Sequence, residues 1–96
     1  MPSGTEIKIV SDKAVQISDA IQAQVDRGVT LLHAEGGYLH RDTKMVLSVV
    51  SNREVVKVET LAHDIDPTCF MIISRVSQVR GRGFTLDKDH VHEFGA

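Results

Sequence analysis

Two short segments of this 96-residue chain combine residue types that could hold an anion. The first is Gly36-Gly37-Tyr38, with Arg41 and Lys44 close behind, where successive peptide N–H groups without side chains could cradle a phosphate or carboxylate. The second is Arg80-Gly81-Arg82-Gly83, whose two guanidiniums suit bidentate recognition of the same groups. If the two segments met across a subunit boundary, Gly36, Gly37, Tyr38, Arg41, Arg80, Gly81, Arg82 and Gly83 would form one glycine-and-basic binding site. The plainer readings weigh about as much: a pair of glycines in a loop that needs positive φ, and a solvated basic turn.

The remaining reactive types offer less. His90, His92 and Glu93 have the alternate spacing that puts ligands on one side of an extended strand, but a polar tail explains them more simply. His33 reads as a hydrogen-bonded core histidine, His63 as a residue on the polar side of a helix and His40 as a loop residue. Cys69 lies in an apolar run, where a free thiol serves as a small hydrophobe. Asp64 and Asp66 beside Pro67 fit helix-stop and turn chemistry better than a catalytic carboxylate pair. With no P-loop, nucleophile elbow or metalloprotease helix motif, the chain is read as non-catalytic, and no cofactor or metal is assigned.

Composition narrows the class further. Hydrophobic residues make up 42% and charged residues 25%, enough for one core and too little chain for two, so residues 1–96 are expected to form one domain with a core over 5–84 and a polar tail over 85–96. A formal net charge of -2 gives no global attraction to nucleic acid, which is not expected as a partner. The single cysteine excludes an internal disulfide and suits the reducing cytoplasm. No stretch approaches the roughly 20 apolar residues that cross a bilayer, and Met1-Pro2-Ser3-Gly4 has neither the basic nor the apolar region of a secretion signal.

The elements that would position these residues follow from periodicity. Residues 5–10 alternate Ile7 and Ile9 against Glu6 and Lys8, the pattern of a half-buried strand. Ser11 or Asp12 is placed to cap a helix in which Ala14, Ile17, Ile21 and Val25 share one side, Gly28 ends it, and Arg27 complements the helix dipole. Residues 29–34 and 44–51 read as strands joined by a glycine-bearing loop. Ser51 or Asn52 caps a second helix carrying Val55, Val58, Leu61, Ala62 and Ile65, which Asp66-Pro67 stops. Residues 68–74 form the last strand. Strand-helix-strand-strand-helix-strand is the order of an α+β ferredoxin-like sandwich, a four-stranded antiparallel sheet in spatial order 4-1-3-2 with both helices on one face.

A two-layer sandwich leaves one sheet face to water, yet the third strand is apolar on both faces. Met45, Leu47 and Val49 point one way and Val46, Ser48 and Val50 the other, while Phe70 and Ile72 oppose Met71 and Ile73 in the fourth strand. Helices can cover only one face. Self-association through the other is therefore expected, with Val46, Ser48 and Val50 as the outward interface residues and folding of the tail, with Val91 and Phe94, as the less favoured cover.

Several local motifs together resemble a known family: Val10-Ser11-Asp12, Asp26-Arg27-Gly28-Val29-Thr30, Glu35-Gly36-Gly37-Tyr38, Asp64-Ile65-Asp66-Pro67 and the closing Gly81-Arg82-Gly83-Phe84. Over residues 7–84 the chain is similar to the C-terminal domain of YitT-type bacterial membrane proteins, a family of unknown function with a fold similar to the PII signalling proteins. The resemblance implies a cytoplasmic domain that follows membrane-spanning helices, at the inner face of the cell membrane. It also implies a homo-oligomer, a trimer by PII precedent, with small ligands in clefts between subunits. The missing membrane region departs from the family layout; the chain is either a piece of a longer parent, which its opening residues suit, or a free-standing form. The function expected is a PII-like regulatory module that oligomerises and senses a small anionic ligand, a nucleotide or metabolite, for an attached membrane protein. The alternative is a purely structural oligomerisation domain.

Overall fold

The computed structural model describes residues 4–37 and 41–81. Strand β1 (Gly4–Ser11) leads into helix α1 (Ala14–Gln24), strands β2 (Val29–Glu35) and β3 (Asp42–Val50) form a hairpin, a 3-10 turn over Asn52–Glu54 opens helix α2 (Val55–Ile65), and strand β4 (Phe70–Val76) closes the sheet. All strand pairs are antiparallel and the order across the sheet is β2-β3-β1-β4, the expected α+β ferredoxin-like arrangement.

The core lies between the sheet and the two helices. Ile7 and Ile9 of β1, Val46 and Val50 of β3, Ile17 and Ile21 of α1 and Val58 of α2 are all 0% exposed. Their packing comes from period 2 in the strands meeting period 3.6 in the helices. β1 opposes β3 with Ile7 facing Ser48 and Ile9 facing Val46, so Val46, Ser48 and Val50 share the helix side with the isoleucines.

That register corrects the expected interface. Val46, Ser48 and Val50 do not point outward; they are buried beneath the helices. Ser48 misleads because a hydroxyl in an apolar strand suggests solvent, whereas its Oγ donates to the Gly28 carbonyl at 2.8 Å and is satisfied inside. Met45, Leu47 and Val49 occupy the opposite, open face, where they are half-buried.

Both helix ends also differ from expectation. α1 ends before Gly28: the left-handed residue is Asp26, at φ 60, a conformation that Asp tolerates better than most residues. At the start of α1, Ser11 does not occupy the N-cap position, but its Oγ accepts the Lys13 N–H at 2.9 Å. α2 follows expectation. Ser51 is the N-cap of the turn that precedes it and forms a capping box with Glu54, whose Oε1 accepts the Ser51 N–H at 2.7 Å.

Arg27 is more than a helix-end cation. It is buried, its Nε donates to Glu54 Oε1 at 2.9 Å, and its Nη2 donates to Ser51 Oγ at 2.9 Å. The guanidinium thus ties the end of α1 to the start of α2, fixing both helices over the same sheet face. One close approach requires glycine: a Cβ on Gly4 would sit 2.7 Å from the Val50 carbonyl oxygen.

Candidate functional site

Among the described residues, the two segments expected to hold an anion are not brought together within the chain. Glu35 pairs with Asp42, so Gly36, Gly37 and Arg41 stand at the hairpin end of the sheet, on the β2 side. β4 starts at Phe70 beside Val10 and runs away from that end to Val76 beside Gly4, so Arg80 and Gly81 leave from the opposite end and the opposite edge. Tyr38, Arg82 and Gly83 lie outside the described residues, as do His40, His90, His92 and Glu93.

The glycines have local duties. Gly36 donates its N–H to the Arg41 carbonyl at 2.8 Å, which closes the hairpin and removes one of the two amides expected to cradle an anion. Neither Gly36 nor Gly37 has positive φ, so that explanation fails as well; Gly81 does, at φ 97, where a side chain would be strained.

An open cleft of about 520 Å³ lies beside the hairpin, between β2–β3 and the start of α1. Lys44 is its centre, paired with Ser11 on one side and His33 on the other. His33 is exposed there, and is not the core histidine its strand position suggests. Lys13 and Lys44 could attract an anion, but Asp12 and Asp42 line the same cleft and match them charge for charge. Lys13 is also turned toward α2, with Nζ donating to the Ile65 carbonyl at 3.3 Å. The cleft is balanced in charge rather than basic.

Beside it, Asp66 joins the α2–β4 connection to Ser11 at the end of β1. Its Oδ2 accepts the Ser11 hydroxyl at 2.5 Å, and its Oδ1 accepts the Thr68 N–H at 3.0 Å and the Thr68 hydroxyl at 2.8 Å. The Ser11 bond first, and then those from Thr68, hold this carboxyl below its ordinary range. Glu54 is also lowered: burial raises it, and the hydrogen bonds and charge of Arg27 with the Ser51 bonds more than reverse that effect. Burial pushes the Cys69 thiol up, helped by the Asp66 charge, so this cysteine is not an activated nucleophile. Each shifted group thus sits in a structural contact. Among the described residues, no group of three or more His, Cys, Asp and Glu could hold a metal ion.

The open sheet face is the larger feature. Register places Leu32 of β2 opposite Met45 of β3, Met45 opposite Val10 of β1, and Val10 opposite Phe70 of β4, an apolar row across all four strands. Beside it, Thr30, Leu47, Lys8 and Ile72 form the next row. The only ion pair described on this face is Lys8 with Glu6 at 3.6 Å. The signal for this face is present in the sequence as Met45, Leu47 and Val49, but its parity is not.

Residues 27–81 match the family model described as an uncharacterized protein conserved in bacteria, DUF2179. The chain is 37% identical over 81 residues to the UPF0750 membrane protein YpjC of Bacillus subtilis, covering 84% of this chain and 28% of that protein. It is 29% identical over 73 residues to the UPF0750 membrane protein YitT of the same organism, covering 76% of this chain and 26% of that one. It therefore spans little more than a quarter of the length of these relatives. No helix among the described residues is long and apolar enough to cross a membrane. A crystal structure of a DUF2179 protein from Eubacterium ventriosum superposes with a TM-score of 0.64 at 36% identity, covering 77% of this chain and all of the other. The chain belongs to the DUF2179 family and is homologous to the YitT-type UPF0750 membrane proteins.

Proposed function

We propose that this domain is a non-catalytic assembly module for a UPF0750-type membrane protein, on its cytoplasmic side, and that copies of it meet through the open sheet face. The observation that carries this reading is the row Leu32, Met45, Val10 and Phe70, in which every residue is apolar and Phe70 remains 62% exposed. An antiparallel sheet that faces water usually alternates apolar and polar residues. Here the face away from the helices breaks that rule along β3 and at the start of β4, and contiguous apolar surface of this kind marks a contact site. The partner proposed is another copy of the chain. The non-catalytic part of the proposal is supported by the structural occupation of Glu54, Asp66 and Cys69.

A second reading, sensing of a small anion, is supported by the cleft beside the hairpin with Lys13 and Lys44. Because Gly36 and Arg80 leave opposite ends of one sheet, that role needs a neighbouring copy to complete the basic site. Sedimentation of the chain over a range of concentrations tests the first reading: a reversible oligomer that the single change Met45→Glu reduces in size supports it, and a wild type that stays monomeric at millimolar concentration removes it. Thermal shift with nucleotides and phosphorylated metabolites tests the second, and a flat response leaves assembly as the sole role.

A further inference from the structure

The two edges of the sheet are unequal. β2 exposes Leu31 but sets His33 and Glu35 on the same face, charged or polar groups that discourage pairing with another strand. β4 has the sequence Phe-Met-Ile-Ile-Ser-Arg-Val, and among the described residues it pairs only with β1. Proline, lysine and a bulge are missing from it, and Arg75, near its end, is its one charged residue. Its exposure is not confined to the open face. Ile72 is 43% exposed on the open side, while Ile73, opposite Ile7 on the helix side, is 44% exposed because the helix layer does not reach it. No cover on the open face could bury Ile73.

We propose that β4 pairs antiparallel with β4 of a second copy of this chain, about a two-fold axis through Ile73. Directly opposed residues in an antiparallel pair lie on the same face, so a two-fold register must centre on a residue and not between two. Ile73 is the midpoint of Phe70–Val76, and centring there alone pairs the whole strand. Ile73 then meets the partner's Ile73, Ile72 meets the partner's Ser74, and Phe70 meets the partner's Val76. Arg75 faces the partner's Met71, so the one charge of the strand is not set against itself. The isologous contact buries the isoleucine that the helices leave bare.

This contact rests on the self-association proposed above and adds an edge to it. A pair joined at β4 keeps both helix layers on one side and both open faces on the other, so open-face contacts between such pairs build even-numbered assemblies and not a simple trimer.

Cross-linking separates the two contacts. In a Cys69→Ser background, Ile73→Cys is expected to form a covalent dimer on mild oxidation, since opposed strand residues lie within the roughly 4.4–6.8 Å Cα separation a disulfide spans. The link should persist when Met45→Glu is added. Amides of residues 70–76 should gain exchange protection as concentration rises, and Ile73→Lys should weaken dimerisation at least tenfold. An Ile73→Cys protein that dimerises yet forms no disulfide across the pair overturns the proposal. So does β4 protection independent of concentration, which would mean cover from within the chain. Loss of the cross-link in Met45→Glu would mean that the open face alone joins the copies, and the edge pairing would fall while the assembly reading stood.

Discussion

The two faces of the sheet are built from nearly the same residue types and have opposite fates. On the helix side, Val46 and Val50 of β3 lie with Ile7 and Ile9 in a closed core; on the other, Met45, Leu47 and Val49 remain half-buried. Hydrophobicity does not separate them. What does, among the described residues, is a set of side-chain hydrogen bonds on the covered side: Ser48 to the Gly28 carbonyl, Arg27 to Glu54 and Ser51, Thr5 Oγ1 to Asn52 Oδ1 at 2.6 Å, and Ser11 to Asp66. These bonds fix how the connections enter and leave the helices, and so which face the helices cover. In this fold the apolar pattern provides two candidate cores and buried hydrogen bonds choose one.

The sharpest way to break that distinction is to charge each face in turn. Val46→Asp should unfold the domain or cost about 4 kcal/mol or more, because it leaves an unpaired carboxylate in the closed core; thermal or urea unfolding reads this. Were the sequence-based assignment of Val46 to an outward interface correct, the same change would leave stability near wild type.

Next in size is the tie that seats the helices. Arg27→Met strands the partly buried Glu54 carboxylate and loosens the capping box, with an expected loss of about 3 kcal/mol in urea unfolding. Adding Glu54→Gln should recover part of that loss; strict additivity of the two changes would contradict a coupled pair.

Acid probes the same ties. Glu54 and Asp66 are both lowered in the folded protein, so they contribute stability that is present above their ordinary values and lost as pH falls through the folded ones. The midpoint of thermal unfolding should therefore fall steeply below about pH 4, and the double variant Glu54→Gln with Asp66→Asn should show a flatter profile over that window. An unchanged slope would show that neither carboxylate is engaged as described.

Ser48→Ala is the mildest of these changes, expected to cost about 1–2 kcal/mol in the same unfolding measurement by leaving the Gly28 carbonyl without its donor. A neutral effect would mean that water replaces the hydroxyl, placing this stretch of β3 nearer to solvent than its burial indicates.

Much of this fold is legible in the sequence. The periods of Ile7 and Ile9, of Ala14, Ile17 and Ile21, and of Val58 and Ala62 give the element order, and right-handed crossovers then allow the observed strand order. Ser51 and Asp66-Pro67 mark both ends of α2. The parity of β3 is not legible, because valines stand on both sides and the decisive hydroxyl bonds to a carbonyl 20 residues away. Arg27 has the same difficulty: its partner lies 27 residues on, and a cation at a helix end already has a sufficient local explanation. The glycine-rich segments suggest an anion site because sequence does not record that the Gly36 N–H is used in the hairpin, or that Arg80 leaves from the far end of the sheet.

The most direct test of the contrast between the faces is sedimentation velocity across a wide concentration range, run on the wild type and on Met45→Glu beside their unfolding curves. The expected result is a reversible wild-type oligomer that Met45→Glu reduces to no more than the β4-joined pair, with a stability that differs from wild type by no more than about 0.5 kcal/mol. A Met45→Glu protein that unfolds with the severity of Val46→Asp, or one that assembles as the wild type does, would contradict an open face poised for contact.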